Sequence, residues 1–379
     1  MDLTSLLALP ISSLWSAVIY ILPFLAVMTG IVFFHELGHF LVARWCGVRI
    51  EVFSIGFGRE IFGWNDRHGT RWKVGWLPLG GYVKFEGDEN AASMPAREAA
   101  LKASPTSFHA KPLWQRALIV AAGPFANFLL AIFIFAANAM VVGVPVLEPV
   151  IDTVQAGTPA DKAGFQPGDR VVAINGEKID DFQDLRRIVS QSAGRELKVV
   201  VRRDGRDVEL TVVPAEREVP DGLGGRVKVG LLGVQHNVAK DISYRRKGPV
   251  EAVAYGAKQT WAILSGTVTY IRRMVVGEAD TDQMAGPIRI AQYTSAAASI
   301  SLAMLIQLAA VLSVSIGFVN LLPIPMLDGG HLLYYLIEAV RGRPLDQRAQ
   351  ELGFKLGMAL VLALMLATTF NDILHLFSR

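Results

Sequence analysis

A chain of 379 residues is long enough for two or more domains, and with 52% apolar and 19% charged residues it is too oily for an ordinary soluble enzyme and too charged for a bare membrane bundle. A membrane part joined to a soluble part fits that balance. The net charge of +3, with no long basic run, speaks against nucleic acid as a partner, and the single cysteine, Cys46, excludes an intrachain disulfide and any cysteine-built zinc site.

The first apolar stretch covers residues 14–41. No Lys or Arg precedes Arg44, so it lacks the basic start of a cleaved signal peptide and is expected to be retained. Three more stretches, at residues 113–142, 300–322 and 352–370, reach the roughly 20 apolar residues that a bilayer span needs. Pro23 and Pro124 interrupt two of the four, which membrane helices tolerate when neighbours re-satisfy the backbone. Arg44, Arg49, Arg59, Arg67, Arg71 and Lys73 follow the first span, and Arg341, Arg343 and Arg348 lie between the third and fourth. The positive-inside rule then puts both of these loops in the cytoplasm, and both termini and everything between spans two and three outside.

Between the first two spans, residues 72–87 ("WKVGWLPLGGYVKFEG") read as two short strands around Pro78, Gly80 and Gly81, apolar enough to dip into the membrane face. Residues 88–111 are polar and rich in Ala, Ser and Pro, as a mobile loop would be. Residues 146–240 change character and become charged, turn-rich and strand-like. They carry a tight Asn175–Gly176 turn, a second hairpin around Asp204 and Gly205, and an amphipathic helix with Phe182, Leu185, Ile188 and Val189 on one face. From Pro249 to Met274 the chain is amphipathic and is expected to lie along the outer membrane surface.

Two motifs carry chemistry. In "FFHELGHFLV", His35 and His39 stand four apart, so a helix turns both imidazoles to one side, where they can grip one zinc ion. Glu36 is close enough to take a proton from a water whose pKa the metal lowers to around 7. Ionisable residues at mid-bilayer each cost about 2.5–3.5 kcal/mol, so three in five positions argue against chance. A third protein ligand is needed. Trp45 stands where a soluble zinc protease of the H-E-x-x-H-x-x-G-x-x-H kind has its third histidine, and Glu51, Glu60 and Asp328 are the candidates. Asp328 is the strongest. It lies in "NLLPIPMLDGGHLLYY", where Pro323 and Pro325 break the helix and two glycines let the backbone come close. By the expected orientation it ends on the same side as the histidines. The plainer reading makes Asp328 a helix N-cap; His331 is a further possible ligand or an orienting neighbour.

"GTPADKAGFQPGDRVVAINGEKI" resembles the pattern of PDZ domains in bacterial proteases, which bind an extended peptide along a strand edge beside a helix. Residues 216–245 are too few for a second such domain. The two motifs flanking it resemble those of the site-2 protease family of intramembrane zinc metalloproteases, over nearly the whole chain. The resemblance implies His35, His39 and Asp328 as zinc ligands, Glu36 as catalytic base and Asn320 as a residue holding the unwound substrate. It also implies that "LPLGGYVKF", with Gly80, Gly81 and Tyr82, pairs with substrate as a membrane-dipping hairpin. "AGPIRIAQ", residues 285–292, is similar to the family as well.

The expected architecture is a polytopic α-helical membrane protein of about four transmembrane helices. It carries a membrane-associated β-hairpin and an inserted extracytoplasmic PDZ domain of α+β type. The membrane core takes residues 1–145 and 300–379, the PDZ domain with its linker 146–240, and the surface segment 241–299. The implied activity is zinc-dependent cleavage of transmembrane segments in the bacterial inner membrane. Its partners are single-pass substrates, peptide or protein C-termini at the PDZ domain, and the lipid bilayer. The competing reading is a membrane scaffold or transporter with a structural zinc and a PDZ docking module.

Overall fold

The computed structural model describes residues 14–87, 104–179, 181–220, 226–235, 242–278 and 285–377. Most of the polar stretch expected to be a mobile loop, residues 88–103, lies outside these. The chain divides into two compact units, residues 139–247 and the remainder.

The larger unit starts with α1 (Leu14–Trp45), followed by β1 (Ile50–Asn65), β2 (Arg71–Phe85) and α2 (Leu113–Val141). The hairpin differs from expectation. Pro78, Gly80 and Gly81 do not form its turn; they lie within β2, at irregularities in the ladder. The turn falls at residues 66–70, where Asp66 Oδ1 accepts from the backbone N–H of His68 at 2.8 Å and of Thr70 at 3.0 Å, and Gly69 takes φ +83°. An Asp side chain that mimics a backbone turn, with a glycine at the left-handed position, outcompetes a proline that a ladder irregularity can absorb. Burial pushes the Asp66 carboxyl up, but the hydrogen bonds from Thr70, His68 and Trp72 and the Arg44 charge outweigh it, so its pKa is lowered.

The pair curls back on itself. Val52 to Ile55 have partners on both sides, Lys84 to Gly81 in one direction and Arg71 to Val74 in the other. Residues 81–85 thereby become an outer segment of this small sheet. Phe53, fully buried, stacks on Trp72 at 4.3 Å, while Ile61, Phe62 and Trp76 are more than 60% exposed. Thr29 Oγ1 of α1 donates to the Pro78 carbonyl at 2.9 Å, tying β2 to the first helix.

The smaller unit has, in chain order, β3 (Val144–Leu147), β4 (Thr153–Val154), α3 (Pro159–Lys162), β5 (Arg170–Ile174), β6 (Glu177–Lys178), α4 (Phe182–Gln191), β7 (Leu197–Arg203), β8 (Arg206–Val212), β9 (Ala215–Pro220), β10 (Arg226–Leu231), β11 (Val234–Gln235) and β12 (Ile242–Arg245). A four-stranded sheet runs β6-β5-β7-β8. Its hairpins turn at Asn175–Gly176 and Asp204–Gly205, with positive φ at all four residues, as a type I′ turn requires. Ile151, Ile174, Leu197, Val199 and Val201 fill a dry core, each burial stabilising by roughly 1.5–3 kcal/mol. Asp169, fully buried, accepts two 2.7 Å bonds from Arg203 and one of 2.9 Å from the Gln166 N–H. Residues after 215 complete this unit: β11 pairs with β4, and β12 pairs with β3, so the stretch that brings the chain in lies beside the stretch that takes it out. A cleft of about 770 Å³ runs between Phe182, Leu185 and Val189 of α4 and residues 229–235, with Arg186 and Arg217 on its lining.

The larger unit resumes with α5 (Pro249–Val275), α6 (Pro287–Ile300), α7 (Leu302–Asn320), α8 (Asp328–Arg341) and α9 (Gln347–Phe377). Among the described residues four helices are long and apolar enough to cross a membrane: Ile21–Trp45, Leu113–Val141, Leu302–Asn320 and Arg348–Leu374. Small residues let them approach. A side chain at Gly38 would meet the Ala122 carbonyl of α2, and one at Gly317 would meet the Pro124 carbonyl. The α5 segment expected along the membrane surface packs by Gly256 onto the Ile132 backbone of α2. Asp372 of α9, fully buried, accepts from the backbone N–H groups of Gly286, Ile288 and Arg289 and from Arg289 Nε at 2.7 Å, and so closes the start of α6.

Candidate active site

The H-E-x-x-H turn lies in α1, and its spacing brings His35 and His39 to one side with Nε2 atoms 3.2 Å apart. Both rings are nine-tenths buried. The third group comes from the break after α7. Pro323 and Pro325 stop that helix at Asn320, and α8 opens at Asp328. Gly329 and Gly330 let the first turn of α8 press against the Leu321, Leu322 and Ile324 carbonyls, where a Cβ would collide. Gly357 of α9 seats against Pro325 from the other side, and Arg116 of α2 binds Glu338 of α8 at 2.7 Å, fixing that helix.

Asp328 is not the N-cap. Leu327 holds that position and no side chain caps the helix. The Asp328 carboxylate instead faces the histidines, with Oδ2 at 3.1 Å from His35 Nε2 and 3.6 Å from His39 Nε2. Ligand atoms of these three residues all lie within 4.8 Å of one another. The other two candidates are engaged on the hairpin, Glu51 with Lys84 at 2.7 Å and Glu60 with Arg71.

The donor set fits zinc by its chemistry. His39 Nδ1 sits 2.8 Å from the Ile119 carbonyl, which can only accept, so Nδ1 carries the proton and Nε2 offers a lone pair inward. Asp328 Oδ2 is buried without hydrogen-bond geometry to any donor. Acceptor atoms that converge on one point and can satisfy one another only in part are what a cation repairs.

A cavity of about 290 Å³ opens here, lined by His35, Glu36, His39 and Asp328 together with Gly81, Tyr82, Asn320 and His331. Gly80 does not line it; at φ +118° it packs against the Phe57 ring. Gly81 does, since a Cβ there would touch Glu36. Three residues of α2 that the motifs do not include stand behind the histidines: Ile119, Gly123, whose missing side chain makes room for both imidazole edges, and Asn127, buried beside His35. A polar Asn inside an apolar span was the available signal.

Comparison with known proteins gives these residues a setting. Peptidase family M50 matches residues 23–364. A Rhizobium meliloti protein with a provisional zinc metalloprotease name is 48% identical over 364 residues, covering 94% of this chain and 97% of the relative. An Agrobacterium fabrum protein with the same kind of name is 46% identical over 359 residues, 93% and 95% of the two chains. Metalloprotease MmpA of Caulobacter vibrioides is 40% identical over 381 residues, 94% and 95%. The chain belongs to peptidase family M50, the site-2 protease family of zinc metalloproteases.

Proposed function

We propose that this metalloprotease is an intramembrane endopeptidase, cutting transmembrane segments of single-pass membrane proteins after a first extracytoplasmic cut. Anti-sigma factors and signal-peptide remnants are the substrate classes. The observation that carries the reading is the meeting of His35 and His39 from one apolar helix with Asp328 from the break after another, beside Glu36 in one cavity. His35, His39 and Asp328 would hold the zinc. When bound, it supplies Lewis-acid chemistry, polarising the scissile carbonyl and acidifying water. Glu36 accepts the proton of the attacking water on its carboxylate and returns it to the leaving amine.

A helical substrate hides its carbonyls in its own hydrogen bonds and has to unwind first. Two features support an unwinding role for this chain. Residues 81–85 form an outer segment of the hairpin sheet beside the cavity, paired on one side with β1; among the described residues no second strand pairs with it, and Gly80 precedes Gly81 and Tyr82 at its start. Asn320, at the end of α7 and on the cavity wall, offers an amide to an exposed substrate backbone group. The exposed Ile61, Phe62 and Trp76 suit a hairpin dipping into lipid, and exposed Trp45 and Trp114 suit interfacial anchors.

In this reading the unit of residues 139–247 is a PDZ domain on the periplasmic side of the bacterial inner membrane, with both termini. The active site lies toward the cytoplasmic side, where water can enter. The cleft beside α4 takes the C-terminus of a peptide or protein.

Glu36→Gln is the test. With a membrane-anchored reporter already shortened outside the membrane, the wild type yields products cut within the span by mass spectrometry, and the variant yields none while keeping its zinc. A variant that cuts at the wild-type rate, or a wild type that leaves such reporters whole, overturns the proposal. The second outcome would favour a scaffold or transporter with structural zinc.

A further inference from the structure

The two histidines of the candidate site are held from behind by the same helix, α2. His39 Nδ1 meets the Ile119 carbonyl. His35 Nδ1 meets the side-chain amide of Asn127 at 3.3 Å, and Asn127 is fully buried. The Asn127 amide can stand in two ways, because its nitrogen and oxygen are nearly the same size and exchange by a half-turn. With Nδ2 toward the ring, the amide donates to Nδ1. That places the imidazole proton on Nε2, the atom that points at Asp328, and it leaves Asn127 Oδ1 buried with no partner. With Oδ1 toward the ring, the oxygen accepts from Nδ1–H and Nε2 is left with its lone pair facing His39 and Asp328; the amide NH2 then takes the place where Oδ1 had no partner. Only the second arrangement can ligate a metal.

We propose that Asn127 is a positioning residue for the metal centre: its Oδ1 accepts the Nδ1 proton of His35 and fixes the ring in the tautomer that ligates through Nε2. The inference rests on the zinc site of the proposed function. It makes α2 the supporting layer for both imidazoles, one through a main-chain carbonyl and one through a side chain. The Asn127 backbone is itself set in place. Ser313 of α7 donates to its main-chain carbonyl at 2.9 Å, and Gly317 leaves space against its Cβ. Gly123, four residues earlier, lets this face of α2 come close to the two histidines of α1.

The test measures zinc directly on the full chain in detergent, by competition with a chromophoric chelator, and reads ligand geometry from the visible spectrum of the cobalt-substituted protein. Asn127→Leu keeps the volume and removes the acceptor. Zinc affinity is expected to fall about 10- to 100-fold, the usual effect of losing such a partner, with an altered cobalt spectrum and an unchanged unfolding temperature of the metal-free protein. Asn127→Asp keeps an acceptor and is expected to stay near wild type in both readouts. Should Leu not fold there, the Asn127→Ala and Asn127→Asp pair carries the same comparison. Affinity and spectrum unchanged in the Leu or Ala variant, or lost equally in the Asp variant, overturn the proposal. A His35→Ala control separates the two claims: a wild type that binds no zinc more tightly than this control sinks the site itself, not only the role of Asn127.

Discussion

Three carboxylates inside the fold divide the molecule in an instructive way. In the inserted unit, Asp169 is closed off by two bonds from Arg203 and one backbone N–H. In the membrane unit, Asp372 is closed off in the same manner by Arg289 and three backbone N–H groups. Asp328, in the same unit as Asp372, has no such closure; its Oδ2 faces two imidazole nitrogens, with no arginine and no backbone N–H in hydrogen-bond geometry. A buried charge that is fully paired holds a fold together. One left open, in a place where the fold could have closed it, marks where something else is to bind. The neighbours differ and so does burial: Asp169 and Asp372 are fully buried, while the Asp328 side chain keeps 18% of its surface at the cavity.

The comparison breaks most sharply by neutralising the open and the closed groups in turn. Asp328→Asn is expected to lose bound zinc and proteolysis entirely while the metal-free protein melts at the wild-type temperature or above. Asp372→Asn should do the reverse, keeping zinc and lowering the melting temperature of the same detergent sample. Equal melting losses in both would erase the distinction.

In the inserted unit, Asp169→Ala leaves Arg203 facing an empty dry site and should cost roughly 3 kcal/mol, the lower end for breaking a buried pair, because Arg203 keeps partial access to water. Hydrogen exchange on the full chain would show β5 and β7 losing protection while zinc content stays constant. A smaller effect is expected at Asp66, whose carboxylate is also satisfied but only at a turn. Its pKa is lowered in the folded state, so its contribution is full above the unfolded value near 4 and disappears as pH falls through the folded value. Protection of the hairpin amides should therefore weaken in acid. Asp66→Ala should cost about 1 kcal/mol at neutral pH and abolish that acid dependence.

The same contrast explains what could be read from residues alone. The spans and the triplet His35, Glu36 and His39 announce themselves, because an ionisable group in an apolar run is costly and local spacing says where it points. Asp328 was legible through the prolines and glycines around it. The hairpin turn was misplaced because Pro78 with Gly80 and Gly81 is the louder turn signal, while the Asp66 side chain that makes the turn declares itself only through its bonds to His68 and Thr70. Asn127 escaped for a different reason. Its partner is 92 positions away, and nothing in an apolar helix says which neighbouring ring its amide will meet.

The pairing of β3 with β12 bears on how such a chain could change over time. Because the two connecting strands zip together, the inserted unit supplies its own loop closure, and to the membrane helices on either side it amounts to a short crossing. A unit attached in that way can be lost, doubled or exchanged for another with little disturbance to the helices that cradle the histidines, so the reach of the protein toward new clients can diversify while its chemistry stands still.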